Sequence, residues 1–285
     1  MSDGTWETMR LAQNQNGEVF ELFHENSKTS HYSQPELSED EIVARMKWMW
    51  ESLPYDLYSA IALPCSLTPL RISLEEAIVT RVTARAMESC TVTLESLATI
   101  LHCAYGVTRS NEGTPWPHPF RAVPSGGALY PLEIFFHTSH VDGLAAGLYH
   151  FNPARNNLRL LVKQDQSVKV ADCLIQQNLA HDASVIFFIT AIFERSTFKY
   201  GERGYRFVLL EAGHVAQNIN LVANGLGLGS VNVGGFFDRQ VDELLGLDGV
   251  THSTVYLVAV GKPILESEQL PRAHFSVDQE RYDAV

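Results

Sequence analysis

Apolar residues recur at helical spacing in three stretches of the chain, each introduced by a capping signal. Ser38 with Glu41 opens a helix along which Ile42, Val43, Met46, Met49 and Trp50 recur. Ser73 with Glu76 opens "SLEEAIVTRVTARAME", which reads as a second continuous helix, and "TLESLATILHCAYG" reads as a third, from Thr93 to a stop at Gly106. After a Pro-rich loop, residues 111–119, the period changes. "LEIFFHTS" (132–139) predicts a strand, and "GLYHFNPARNNLRLLV" (147–162) predicts two strands joined by an Asn/Pro turn. "ASVIFFITAIF" (183–193) is continuously apolar, as a central strand buried on both faces would be. From Tyr205 to about Leu226, Leu209, Ala212, Ala216, Ile219 and Ala223 predict a helix buried in a core or a dimer interface. "GSVNVGGF" and "THSTVYLVAVGKP" supply two further strands. The pattern is α+β: helices around a central, mostly antiparallel sheet.

Residues 1–70 read differently, as an irregular acidic N-terminal extension carrying one helix, with Pro54, Pro64 and Pro69 breaking the chain after that helix. Residues 71–285 form the main domain. At 285 residues, 45% hydrophobic and 19% charged, the chain can bury a sizeable core. No apolar run reaches the roughly 18 residues of a membrane span, and "MSDGTWETMR" lacks the layout of a secretory signal, so the cytoplasm is the expected location. Four scattered cysteines without a CxxC pair argue against a disulfide framework or a cysteine zinc site. A net charge of −12 disfavours nucleic-acid and anionic-membrane binding. Any phosphate would need a local basic cluster.

Four stretches carry candidate chemistry. In "RVTARAM", Arg81 and Arg85 are four apart and share a face of the predicted helix, with the Thr83 hydroxyl nearby; this set suits a phosphate. A solvated arginine face paired with Glu75, Glu76 or Glu88 is the plainer reading. In "RAVPSGGALYP", Pro124, Ser125 and Gly126 belong to a loop whose glycines let a flat ligand approach the backbone; it also reads as a simple loop before a strand. In "GLGLGSVNVGGF" the glycines end a helix and open a strand, the reverse of a dinucleotide fingerprint, while Gly234 and Gly235 can present bare N–H groups to a ligand edge. In "FKYGERGYRF", Lys199 is a candidate base if burial or cations such as Arg195 and Arg203 lower its pKa, with Tyr200 as its partner. A solvated turn explains the same residues. Neither an HExxH motif nor a carboxylate-rich set points to a catalytic metal, and no GxSxG anchors serine-hydrolase chemistry.

Taken jointly, the order and spacing of these stretches resemble the SagB-type dehydrogenases of the nitroreductase-like flavoprotein superfamily, which oxidise azolines to azoles in modified peptides. "FHENSK" (23–28), "TLESLATILHCAYGVT", "RAVPSGGALYPLEIFF", "GLYHFNP" and "KYGERGYRFVLLEAGHVAQNINLVANGLGLG" carry the resemblance over most of the chain. It implies a nitroreductase-like fold, FMN as cofactor, and a homodimer with two sites at the subunit interface. It implies that Arg81, Thr83 and Arg85, with Lys262, hold the FMN phosphate and ribityl chain. Thr83 stands where the superfamily usually has serine. It also implies that Pro124, Ser125 and Gly126 contact the flavin from the partner subunit and that Gly234 and Gly235 lie near its N5/O4 edge. Lys199 and Tyr200 fall on the family's catalytic pair. The implied substrate is a thiazoline or oxazoline in a peptide or carrier-bound intermediate, with a cyclodehydratase or a peptide synthetase as partner and O2 reoxidising the flavin. An NAD(P)H-dependent nitroreductase-like enzyme and a non-catalytic scaffold subunit are the competing readings.

Overall fold

The computed structural model describes residues 19–30 and 37–264; residues 1–18, 31–36 and 265–285 lie outside the described residues. Helices α1 (Val19–Asn26) and α2 (Glu39–Trp48) precede strand β1 (Ser59–Ala62). The Ser38–Glu41 capping box forms: the Ser38 N–H donates to Glu41 Oε2 at 2.8 Å and the Ser38 hydroxyl accepts from the Glu41 N–H. Helix α2 stops at Trp48, so Met49 and Trp50 fall beyond it, and along the helix only Met46 is buried.

The second helix is shorter than its pattern. Helix α3 covers Leu74–Thr80, with the Ser73 hydroxyl accepting from the Glu76 N–H at 3.1 Å, and the chain turns extended at Arg81. Ile78, Val79, Thr80, Val82 and Thr83 are all β-branched and crowd a helix. Beyond Arg81 the chain finds a better partner: Thr83 forms a parallel bridge with Ser230, and the Ala84 N–H donates to the Ser230 carbonyl at 3.0 Å. Arg81 and Arg85 therefore do not share a helix face, contrary to the expectation from their spacing.

The helices expected from Thr93 and near Tyr205 form, as do the strands expected over 132–193 and in the two C-terminal stretches, with short elements that the pattern does not mark between them. Strand β2 (Met87–Glu88) leads to α4 (Leu94–Tyr105), capped by Thr93 and ended at Gly106. A small ribbon, β3 (Val107–Arg109) with β4 (Phe120–Arg121), brackets the Pro-rich loop. Then come β5 (Leu132–Thr138), the hairpin β6 (Gly147–Asn152) and β7 (Asn157–Val162), short helices α5 (Ser167–Asp172) and α6 (Leu179–Asp182), and β8 (Val185–Ile192). Helices α7 (Glu194–Tyr200) and α8 (Glu202–Gly225), β9 (Gly229–Val233), α9 (Asp238–Leu245) and β10 (His252–Pro263) complete the order.

The main sheet runs β1-β7-β6-β5-β8-β10-β2, with β9 also on β10, and all its strand pairings are antiparallel. Helices α4 and α8 bury one face around Ile134, Phe136, Phe187, Ile189 and Val258. Helices α5, α6 and α9 bury the other around Phe135, Ile186, Phe188 and Leu257. Strand β8 contributes alternately to both cores, which is why all of it but Thr190 is apolar. Ala212, Ala216, Ile219 and Ala223 of α8 are buried as expected, whereas Leu209 is exposed.

Register decides where functional groups gather. Leu132 opposes Ala191, and the Ile192 N–H donates to the Pro131 carbonyl, so the loop before β5 meets the end of β8 where α7 begins. Strand β9 also ends toward this side of the sheet, at Val233 opposite Leu257. Its start, Gly229 opposite Gly261, lies at the other end beside Thr83.

Candidate functional site

Lys199 and Tyr200 form the last turn of α7. Gly201, at φ 53, breaks the helix, and α8 starts at the next residue. The two helices cross closely because Gly204 has no side chain: a Cβ there would stand 2.9 Å from the Ser196 carbonyl carbon. The same stretch thereby places the Lys199 amine 5.3 Å from the Trp116 ring and 5.2 Å from the Tyr200 ring. Tyr200 meets Phe207 edge-to-face at 4.9 Å.

The glycine loop closes against this pair. Residues Gly126–Ala128 form a single 3₁₀ turn in which Gly127 has φ 65. A Cβ on Gly127 would lie 2.6 Å from the Tyr200 hydroxyl and 3.0 Å from Lys199 Nζ; on Gly126 it would lie 3.2 Å from the Phe207 ring. The structure thus brings together Gly126, Gly127, Lys199 and Tyr200, two stretches some seventy residues apart in sequence. Pro124 is exposed at the loop's entry. Ser125 faces inward: its hydroxyl accepts from the Tyr130 N–H at 2.9 Å and faces the Glu211 carboxyl.

Beneath the loop lies Glu211, which belongs to none of the four candidate sets. It is 2% exposed, and Tyr105 donates to its Oε1 at 2.8 Å. Burial lifts its carboxyl to about 7 against the opposing pull of Ser125, Tyr105 and Arg121. A second buried carboxylate, Glu133, accepts from Arg195 Nη1 at 2.7 Å, His150 at 2.7 Å, the Ser52 hydroxyl at 2.9 Å and the Leu53 N–H at 3.0 Å. Burial would raise this carboxyl, but Arg195 and then His150 outweigh it and hold it well below the carboxylate range. Arg195 is thus bound to Glu133, and Arg203 donates to the Ser27 carbonyl at 3.2 Å.

The "FHENSK" segment docks on the start of α8. Ser27 is buried and accepts from Arg206 Nε at 2.8 Å, while Phe23 packs edge-on to Tyr205 at 5.4 Å. Arg203, Tyr205 and Arg206 thus hold the N-terminal segment.

The basic candidates gather at the far end of β9. Ala84 packs on Gly229 and Pro263, where a Cβ on Gly229 would sit 2.7 Å from the Ala84 Cβ and 2.9 Å from that of Pro263. This contact sets Thr83 and Arg85, both exposed, beside Lys262, whose Nζ pairs with Glu88 at 2.6 Å. Among the described residues no carboxylate pairs with Arg81 or Arg85, so two cations and a hydroxyl are free to meet an anion. These residues fit a phosphate. Arg81, half-buried at the end of α3, is their sequence neighbour. Gly234 is exposed with no atom within 4 Å of a would-be Cβ, and Gly235 accepts from the Ile175 N–H at 3.0 Å. Among the described residues no group of three or more His, Cys, Asp or Glu side chains is placed to hold a metal, and no helix is long and apolar enough to cross a membrane.

The model of the nitroreductase family matches residues 78–262. The chain belongs to the nitroreductase family. The matched region begins within α3 and ends at Lys262, so it contains every candidate residue above. A Methanocaldococcus jannaschii protein named as a nitroreductase is 37% identical over 193 residues, covering 68% of this chain and 92% of that protein. The trifolitoxin-processing protein TfxB of Rhizobium leguminosarum is 32% identical over 48% of this chain and 38% of its own length. The microcin B17-processing protein McbC of Escherichia coli is 33% identical over 45% of this chain and 49% of its own. The chain thus spans less than half the length of these two processing proteins. A nitroreductase-type crystal structure from Anabaena variabilis superimposes with TM-score 0.68 at 24% identity, over 87% of this chain and 48% of that one. The E. coli microcin synthetase McbBCD complex with truncated pro-MccB17 contains a chain that matches with TM-score 0.53 at 20% identity, over 87% of this chain and 92% of that one. Both likenesses show the fold.

Proposed function

We propose that this chain is an FMN-dependent oxidase that converts thiazoline or oxazoline rings to thiazoles or oxazoles in a peptide or carrier-bound peptide. One observation carries the reading: Lys199 Nζ and Tyr200 Oη converge on the backbone of Gly127, a lysine and a phenol held side by side at a glycine loop. Aromatising an azoline removes a proton from one ring carbon and a hydride from its neighbour. FMN, held by the basic cluster and the glycine loop, would supply the two-electron acceptor for that hydride, with O2 as the terminal oxidant and peroxide as its product. Lys199 or Tyr200 takes the proton.

The family's other candidates take complementary roles. Thr83, Arg85 and Lys262, with Arg81, hold the phosphate; Pro124, Ser125 and Gly126 line the ring site; Gly234 and Gly235 offer bare backbone to its edge. The assembly is a homodimer with its sites at the subunit interface, residues 71–285 forming the flavin domain and residues 1–70 an arm that clasps the partner or the substrate. Likeness to two peptide-processing proteins supports a peptide substrate and a cyclodehydratase or peptide-synthetase partner.

The M. jannaschii relative favours a second reading, reduction of nitro or quinone compounds by NAD(P)H. The two separate in one assay. Purified protein with FMN is given an azoline peptide under air, or NADPH and a nitroarene. Azoline-dependent peroxide formation that is lost in Lys199→Ala and Tyr200→Phe is expected; rapid NADPH turnover with no azoline oxidation would sink the proposal.

A further inference from the structure

The loop that meets Lys199 and Tyr200 is not relaxed. Gly127, Ala128 and Tyr130 have φ values of 65, 54 and 45, and such backbone persists only where its surroundings over-determine it. A closed circuit of contacts supplies that constraint. Arg121 donates its N–H to the Tyr130 hydroxyl at 2.9 Å, and its guanidinium lies 4.3 Å from the Tyr105 ring centre and 5.0 Å from that of Tyr130. The Tyr105 hydroxyl accepts from the Leu132 N–H at 3.1 Å, and the Ser125 hydroxyl accepts from the Tyr130 N–H at 2.9 Å. Both hydroxyls have accepted a backbone N–H and still have a proton to donate. Glu211 receives that of Tyr105 at 2.8 Å, and its carboxyl faces the Ser125 hydroxyl.

This arrangement calls for an acceptor-only group. A carboxylate can accept from both hydroxyls with either oxygen; a protonated carboxyl or an amide turns one end of the group into a donor and so sets an O–H or N–H against them. The groups that face Glu211 are Tyr105 on α4, Arg121 on β4, and Ser125 and Tyr130 on the loop. Arg121 is the one cation among them.

We propose that Glu211, as a carboxylate, is a positioning residue for the proton-handling pair: it fixes Ser125, and through Ser125 the Gly126–Tyr130 turn that seats Gly127 against Lys199 and Tyr200. The assignment of that pair rests on the proposed function; the ordering of the loop does not. With a carboxyl at about 7, the loop is firm above neutrality and loosens as pH falls.

The test compares wild type, Glu211→Gln, Ser125→Ala and Tyr105→Phe. Amide exchange over residues 125–130, measured on flavin-free protein above the Glu211 pKa, is expected to accelerate about tenfold in Glu211→Gln and in Ser125→Ala, with the rest of the molecule unchanged. Tyr105→Phe keeps the ring under Arg121 and is expected to act more weakly. With FMN and an azoline peptide, Glu211→Gln is expected to lose about tenfold in kcat with little change in KM, and to lose the limb near neutrality from the pH profile. Unchanged exchange at 125–130 in Glu211→Gln and Ser125→Ala overturns the proposal, as does uniformly faster exchange with a fallen melting temperature, the mark of a purely structural role. If Glu211→Gln does not fold, Ser125→Ala decides the matter alone. A wild type that oxidises no azoline while the variants still loosen the loop removes the proposed function and leaves the positioning role standing.

Discussion

Arg195 Nη1 lies 2.7 Å from Glu133 Oε1, at the foot of the helix that ends in Lys199 and Tyr200. Both residues are almost fully buried, and the same carboxylate binds His150 on β6 and the Ser52–Leu53 segment. One carboxylate therefore ties the N-terminal segment, the sheet and the candidate catalytic helix to one point.

Glu133→Gln is expected to destabilise the fold by about 3–5 kcal/mol, because it leaves the Arg195 charge buried without its partner. Adding Arg195→Met to that variant recovers part of the loss, which a double-mutant cycle in urea would register. The pH dependence has a definite sign. The folded-state pKa of Glu133 is depressed, so its contribution is present above the ordinary glutamate value of 4.5 and is lost as pH falls below it. Wild type should lose stability on that acid limb, and Glu133→Gln should lose less. Parallel curves would exclude the clamp.

Gly127→Ala tests the contact between loop and pair. The added Cβ falls 2.6 Å from the Tyr200 hydroxyl, at a φ of 65 that alanine resists, so the side chain and the turn must move apart. A stability loss of about 1 kcal/mol is expected, with a loss of azoline turnover on the order of tenfold or more. Gly143→Ala is the control: its φ is 78 but nothing lies within 4 Å, so it carries strain without contact. Equal turnover in the two variants would show that Gly127 seats nothing.

The sequence makes the sheet readable and the site only in part. Strands β5 to β8 follow from alternation and continuous apolar runs, and α4 from its cap and its glycine stop, because these signals are local. Helix α3 misleads, since Ser73 and the apolar spacing say helix while the β-branched run and the pairing of Thr83 with Ser230 end it at Thr80. That partner is some 150 residues away. Strand β1 has the same character: Ser59–Ala62 reads as wrapped chain until β7 gives it a partner. Glu133 and Glu211 do leave a signal. Each is a lone charge inside an apolar stretch, "PLEIFF" and "LLEAGHVA", and a buried carboxylate there must have found donors. The meeting of Lys199 and Tyr200 with Gly127 leaves none, because no spacing encodes it.

The basic cluster predicts flavin affinity without a stability effect. Arg85 and Thr83 are exposed and Lys262 is half in solvent, so Arg85→Ala and Lys262→Ala should leave the melting temperature unchanged while weakening FMN binding about tenfold each. Glu88→Gln should act in the opposite direction, since it frees Lys262 from its 2.6 Å ion pair to face a phosphate. Flavin titration at low and raised salt checks both, and the differences should shrink as salt screens the exposed charges. Unaltered affinity in Arg85→Ala and Lys262→Ala would move the phosphate site elsewhere.

Glu211 should make the protein less stable as pH rises, the reverse of Glu133. Its folded-state pKa is raised from 4.5 to about 7, so the unfolded chain gives up its proton first. The stabilising effect of holding that proton is fully present below about 4.5 and is lost as pH climbs through about 7, a change of about 3 kcal/mol. Glu211→Gln has no charge to desolvate and should flatten this limb, so that above neutrality it is at least as stable as wild type. Urea midpoints across the range check this directly, and a variant curve parallel to wild type would mean that the titrating group is another. A carboxylate that lowers stability at the pH where it is ionised is retained at a thermodynamic cost; its contribution must then lie in where it holds Ser125 and the loop above, which is why the stability and exchange measurements on this one residue are expected to move in opposite directions.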